Sequence, residues 1–125
     1  MARKEYLQPE GMFDASVYGY TQVVVAPPGR QVFIAGQVGW DASGKVVSDD
    51  FEAQVKQALV NLDLALKGSG ATRGDITLIR LYIPNHGPDK LGPIARQVGT
   101  FFEGMTPPAQ TLLGIQALAL PELLI

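Results

Sequence analysis

His86 is the only histidine in the chain, and there is no cysteine. A lone histidine cannot build a histidine-based metal site or a histidine-assisted nucleophile. The absence of thiols excludes disulfides, thiolate catalysis and cysteine-ligated metals. His86 lies between Asn85 and Gly87 in a turn-rich run, where a loop role comes before a catalytic one. Asp49-Asp50 sets two carboxylates side by side, but ahead of a helical pattern such residues cap the helix and meet its positive end before they hold a metal. Gly36-Gln37-Val38-Gly39 is glycine-rich without being a phosphate loop, because no helix follows it directly. Tyr20 and Trp40, each beside a strand-like run, can offer a hydroxyl and an indole to a cleft, with simple packing as the competing role for Trp40.

The chain that must position these groups has 125 residues, a length that suits one domain over residues 1–125. Hydrophobic residues make up 46% and charged residues 18%, a balance that excludes disorder and a coiled coil. Ten basic against twelve acidic side chains, with a pI of about 5.2, argue against nucleic acid as a partner, which calls for a basic face. Met1-Ala2-Arg3-Lys4-Glu5 is followed by no apolar signal core, and no apolar run has the length of a membrane span. A cytoplasmic protein with no membrane partner is the expectation. The last residues, Leu123-Leu124-Ile125, form an apolar run with no polar tail. This implies either a chain that continues or a last strand covered by a partner.

Residues 1–19 show little periodicity. Residues 20–26 read as a strand built on Val23, Val24 and Val25; Pro27-Pro28-Gly29 turns the chain, and residues 31–35 return as the second strand of a hairpin. Asp49 caps the first helix with Glu52 in capping-box spacing, and Phe51, Val55, Ala58, Leu62 and Leu66 line one face up to Gly68. Glu52–Lys56 and Asp63–Lys67 are spaced to pair along it. Residues 76–83 form a strand with Thr77, Ile79, Leu81 and Ile83 toward the helices, and Ile76, Leu78, Arg80 and Tyr82 on a second face that also needs cover. Arg80 on that covered face calls for a partner. A second helix over 91–103 carries Leu91, Ile94, Val98, Phe101 and Phe102, and strands follow at 109–114 and 123–125. The order β-β-α-β-α-β-β is an α+β domain with both helices on one sheet face. Oligomerisation is the economical way to bury the other.

Phe33-Ile34-Ala35-Gly36-Gln37-Val38, the helix from Phe51 to Leu66, Gly74-Asp75-Ile76, Phe101-Phe102 and Pro107-Pro108-Ala109 occur in the order and spacing of one known family. From about Tyr20 to the C-terminus the chain resembles the YjgF/RidA family, the reactive intermediate/imine deaminases also described as endoribonuclease L-PSP. The resemblance implies a chorismate-mutase-like α+β fold, a mostly antiparallel sheet with two helices on one face. It also implies a homotrimer whose sheets form an inner barrel, with a small-molecule cleft at each subunit interface. The reaction implied is hydrolysis of reactive enamines and imines, released by pyridoxal-phosphate enzymes, to keto acids and ammonia. No cofactor or metal is implied.

Carried over residue by residue, the resemblance places Tyr20, Ala35, Gly36, Trp40, Gln110 and Leu112 at the ligand cleft, with Tyr18 a rival for Tyr20. Ala35 stands where many members have serine, and Leu112 where some have cysteine or threonine. Gln110, in Pro108-Ala109-Gln110-Thr111, stands where the family arginine clamps a substrate carboxylate. The family's last-strand glutamate would fall just after Ile125. The resemblance therefore assigns no catalytic residue here. Three functions compete: a small-molecule-binding trimer, or one acting on an imine or enamine without the arginine clamp; an active enamine/imine deaminase; and an endoribonuclease or translation inhibitor. The acidic pI and the single histidine weigh against the last.

Overall fold

Asp50, rather than Asp49, caps the first helix. In the computed structural model, which describes residues 3–125, the Asp50 carboxylate accepts a hydrogen bond from the Ala53 amide at 2.9 Å. That bond satisfies one of the orphan donors at the start of α1 (Phe51–Gly68). The shift of one residue releases Glu52 from the expected capping box, and Glu52 crosses to a second helix, α2 (Leu91–Phe101), instead. Its carboxylate accepts from Arg96 Nη2 at 2.8 Å, Arg96 Nε at 3.1 Å and Gln97 Nε2 at 2.9 Å. Lys56 therefore does not receive it, whereas Lys67 and Asp63 pair at 3.1 Å as their spacing implies.

The apolar stripe of α1 buries Val55, Ala58, Leu59 and Leu66, with Phe51 and Leu62 packed beside them. Ile94, Val98 and Phe101 of α2, and Phe102 just past its end, close over the same core. Leu91, expected on that stripe, is exposed. Arg73 clamps the far end of the helix pair. Its Nε donates to Asp63 at 2.9 Å, its Nη1 to the Phe101 carbonyl at 3.1 Å, and its guanidinium lies 4.2 Å from the Phe101 ring centroid.

Below the helices run β3 (Leu78–Pro84) and β4 (Ala109–Ile115), joined through α2. They pair in parallel from Leu78 opposite Ala109 to Pro84 opposite Ile115. A parallel ladder is what a helical crossover permits. Ile79, Leu81 and Ile83 face the helices as the alternation implies, while Leu78, Tyr82 and Leu113 stay exposed on the other face. Ile76 departs from the expectation: it lies before β3 and packs on the core. Arg80 departs too, being exposed with no partner among the described residues.

The N-terminal hairpin is replaced by another pairing. β2 (Val23–Val25) pairs antiparallel with β1 (Glu5–Leu7), a strand that residues 1–19 gave no periodicity to reveal. Residues 31–35 belong to no strand, and residues 26–37 take part in no backbone hydrogen bond between elements. Phe33 is 88% exposed. β-Branched composition makes a segment strand-compatible, but only a ladder partner makes it a strand, and this segment finds none among the described residues.

Residues 123–125 are likewise not a strand, although Leu123 and Ile125 are buried. Gln54, fully buried on α1, holds them. Its Nε2 donates to the carbonyls of Ser48 at 2.8 Å and Glu122 at 2.9 Å, and its Oε1 accepts from the Leu124 amide at 2.9 Å. Gly39 passes so close that a Cβ there would lie 2.8 Å from Gln54 Cβ.

Gln54→Leu removes three hydrogen bonds and strands their partners, so urea unfolding should show a loss of about 2–4 kcal/mol. Gly39→Ala, which overpacks the same contact, should cost about 1–3 kcal/mol by the same measurement. The acid response follows from the helix clamps. Arg96, then Gln97, holds the Glu52 carboxyl down from its ordinary 4.5 to about 2, and Arg73, then Lys67, holds Asp63 down from 3.8 to about 2. Both are depressed in the folded state, so their contribution is complete above about pH 4.5 and fades as pH falls toward 2. Melting temperatures between pH 5 and 2 should drop less steeply for Glu52→Gln than for the unaltered chain.

Candidate functional site

The residues 26–38 stand off from β3, and the gap between them is a groove with a cavity volume of about 1620 Å³. One wall is this unladdered segment, the other is residues 76–82, and the floor is the inner face of α1. Ala35 and Gly36 line it, and the Ala35 carbonyl accepts from the Gln37 side chain at 3.1 Å. A methyl rather than a hydroxyl at position 35 leaves that part of the wall without a side-chain donor. No neighbour lies within 4 Å of a Cβ placed on Gly36, so space is not what requires glycine there.

Gln110 and Leu112 point to the same side of β4, opposite Ile79 and Leu81 of β3. Leu112 packs against the hydrophobic core. Gln110 is half-buried, its side chain hydrogen-bonded to no described residue and its charge nil. Tyr20 is brought toward the start of the same strand. Next to it, the buried Thr21 donates its hydroxyl to the Pro107 carbonyl at 2.5 Å and its amide to the Pro108 carbonyl at 3.1 Å. This pins residues 20–21 against the segment that leads into Ala109 and Gln110. Tyr18 faces solvent and stacks edge-on against Phe13, with ring centroids 5.8 Å apart.

Trp40 sits elsewhere, in the loop ahead of α1. It bridges to Val46, and Asn61 of α1 donates to the carbonyls of Val38 and Trp40, each at 2.9 Å. Within one chain the six residues expected at a cleft thus fall into three places: the groove wall (Ala35, Gly36), the start of β4 (Tyr20, Gln110, Leu112) and the loop before α1 (Trp40). A second concavity of about 400 Å³ lies past the carboxyl ends of β3 and β4, lined in part by Asn85, Lys90, Gln116 and Leu124. There the Lys90 ammonium donates to the Asn85 carbonyl at 2.5 Å, and Asn85 has φ of +52°. His86 is packed close to Gly114, and its Nδ1 is buried with no partner among the described residues.

Arg80 also lines the groove. As an arginine within an apolar strand it calls for a buried partner, but it is exposed and has none among the described residues. Among the described residues there is no cluster of three acidic, histidine or cysteine side chains that could hold a metal ion. Among the described residues no helix is long and apolar enough to cross a membrane.

Comparison with known proteins follows this geometry. The chain is 43% identical to the Rid-family protein YyfB from Yersinia pestis, whose crystal structure superposes with a TM-score of 0.92 over 97% of this chain and 92% of that one. A YjgF-family member from Mycobacterium tuberculosis is 26% identical, with a TM-score of 0.63 over 98% of this chain and 92% of its own. By sequence, the 2-iminobutanoate/2-iminopropanoate deaminase of Rattus norvegicus is 28% identical over 109 residues, which covers 86% of this chain and 74% of that protein. Residues 13–125 match the family described as Endoribonuclease L-PSP, so the chain belongs to that family, the YjgF/RidA proteins, and has their α+β fold.

Proposed function

We propose that this chain binds small molecules in clefts at the seams of a homotrimer, as a binding protein or as one that acts on imines or enamines without an arginine clamp on β4. The observation that carries this reading is Gln110. It stands where the family resemblance expects arginine, half-buried, with neither an ion pair nor a side-chain hydrogen bond to a described residue. A glutamine amide offers neutral donors only, and charge-assisted hydrogen bonds are worth roughly twice as much, about 1.5–3 against 0.5–1.5 kcal/mol. A carboxylate held at this position would therefore bind about tenfold or more weakly than on an arginine fork.

The scatter of the six cleft residues over three places supports the trimeric part of the reading. Residues that one chain does not gather can be completed by a neighbour, and the exposed Leu78, Tyr82, Leu113 and Phe33 supply apolar surface for the seam. A second reading, an active deaminase, is favoured by the similarity to the rat 2-iminobutanoate/2-iminopropanoate deaminase.

Light scattering at micromolar concentration should give three times the chain mass, and a stable monomer would refute the seam clefts. To separate binding from catalysis, the imine of a small amino acid can be generated in place by an amino-acid oxidase and keto-acid release followed with and without the protein. The expected result is no acceleration. Acceleration matching that of an arginine-bearing relative would establish the deaminase reading instead.

A further inference from the structure

We infer that the side-chain amide of Gln110 selects the ligand, and that the molecule it selects is uncharged and carries an N–H donor beside a carbonyl acceptor, as in a small amide, lactam or urea. This rests on the reading of the chain as a small-molecule binder without an arginine on β4, and it names what takes the place of the carboxylate. Gln110 is the second residue of β4, opposite Ile79. It is half-buried, and its side chain bonds to no described residue. His86 Nδ1 is the one sealed side-chain polar atom without a partner among the described residues, so both polar atoms of the Gln110 amide stay within reach of solvent.

The chain around that amide is uncharged over a long stretch. Thr21 joins two segments here, its hydroxyl donating to the Pro107 carbonyl at 2.5 Å and its amide to the Pro108 carbonyl at 3.1 Å. Residues 15–29 and residues 104–121, the segments so joined, contain no Asp, Glu, Lys, Arg or His. On the Gln110 side of the ladder β3 presents Ile79, Leu81 and Ile83, and Arg80 lies on the other side. The helices over this face pair their charges with one another or with Arg73: Glu52 with Arg96, and Asp63 with Arg73 and Lys67. A carboxylate entering here loses water and meets no cation from these elements, which is unfavourable. Facing a glutamine amide it also satisfies only the NH2 group and sets oxygen against oxygen. An amide edge instead meets the Gln110 carboxamide with two antiparallel N–H···O bonds, each donor on the other's acceptor. Leu112, on the same side of β4, and Ile79 opposite Gln110 give the rest of a small molecule apolar contact. A ligand lacking either half of the edge leaves one atom of Gln110 unpaired, which is the basis of strong discrimination.

The test titrates three probes into the full chain: butyramide, butyrate of the same shape but charged, and N,N-dimethylbutyramide, which keeps the carbonyl and loses the donor. Binding is followed by nuclear magnetic resonance, with the Gln110 side-chain NH2 signal identified by its loss in Gln110→Met. Butyramide is expected to shift that signal and to bind about tenfold tighter than either other probe. In Gln110→Met the preference should fall to about one, and in Gln110→Arg it should turn toward butyrate. Because the Gln110 side chain holds no described residue, Gln110→Met should melt with the unaltered protein, so a lost preference reads as lost recognition. Butyrate binding as tightly as butyramide, or a preference that survives Gln110→Met, overturns the inference and leaves the chain a small-molecule binder. Failure of all three probes to bind at millimolar concentration overturns the inference, and the chain mass from light scattering then decides separately whether the trimeric reading stands.

Discussion

The amide of Gln54 has no exposure to solvent, and three segments distant in sequence close on it. It binds the loop before α1 through Ser48, the C-terminal residues through Glu122 and Leu124, and it is overlain by Gly39 of the loop that carries Trp40. A buried amide left unpaired is costly, so the three segments are constrained jointly rather than one at a time. The burial of Leu123 and Ile125 depends on this arrangement, since neither belongs to a strand. So does the position of Gly39, where any side chain would collide with the helix. The core of α1, α2 and β3 supplies the hydrophobic stabilisation, and Gln54 decides which loops are allowed to meet it.

What this chain leaves unfinished is a matter of backbone pairing. Among the described residues β1 pairs only with β2, and β3 only with β4, while residues 26–37 make no backbone hydrogen bond to either ladder. Each ladder therefore presents edges, and the segment between them presents Phe33 to solvent. Apolar surface of this kind is worth about 25 cal/mol for each Å² removed from water, and exposed patches of it mark places where something binds. The same opening exposes Arg80. A guanidinium on an apolar strand is tolerated there because it is exposed rather than buried, so it needs no counter-ion.

The division of charge between the two paired strands bears on the chemistry. In the ladder Gln110 lies opposite Ile79 and Thr111 opposite Arg80, so the neutral and charged groups stand one residue apart but on opposite faces. The period of two along a strand means that moving a cation from one position to the next transfers it to the other side of the sheet.

Much of this was legible in the sequence. The five-residue stripe from Phe51 to Leu66, the stop at Gly68, the Asp63–Lys67 pair and the inward alternation of Ile79, Leu81 and Ile83 depend on neighbours a few residues away, and periodicity reports them directly. The resemblance carried by Phe33–Val38 and Pro107-Pro108-Ala109 identified the family for the same reason, being a pattern along the chain. The substitution at Gln110 was equally plain. Other features waited for the tertiary structure: the choice of Asp50 over Asp49 as cap, the crossing of Glu52 to Arg96, and the pairing of β2 with β1 rather than with residues 31–35. Whether Arg80 has a partner, and what a buried Gln54 holds, belong with these. The sequence determined which residues are apolar, charged or turn-forming and at what period. Only the tertiary structure decided which partners they take, because ladder pairing and the satisfaction of buried polar groups are contacts between segments far apart along the chain.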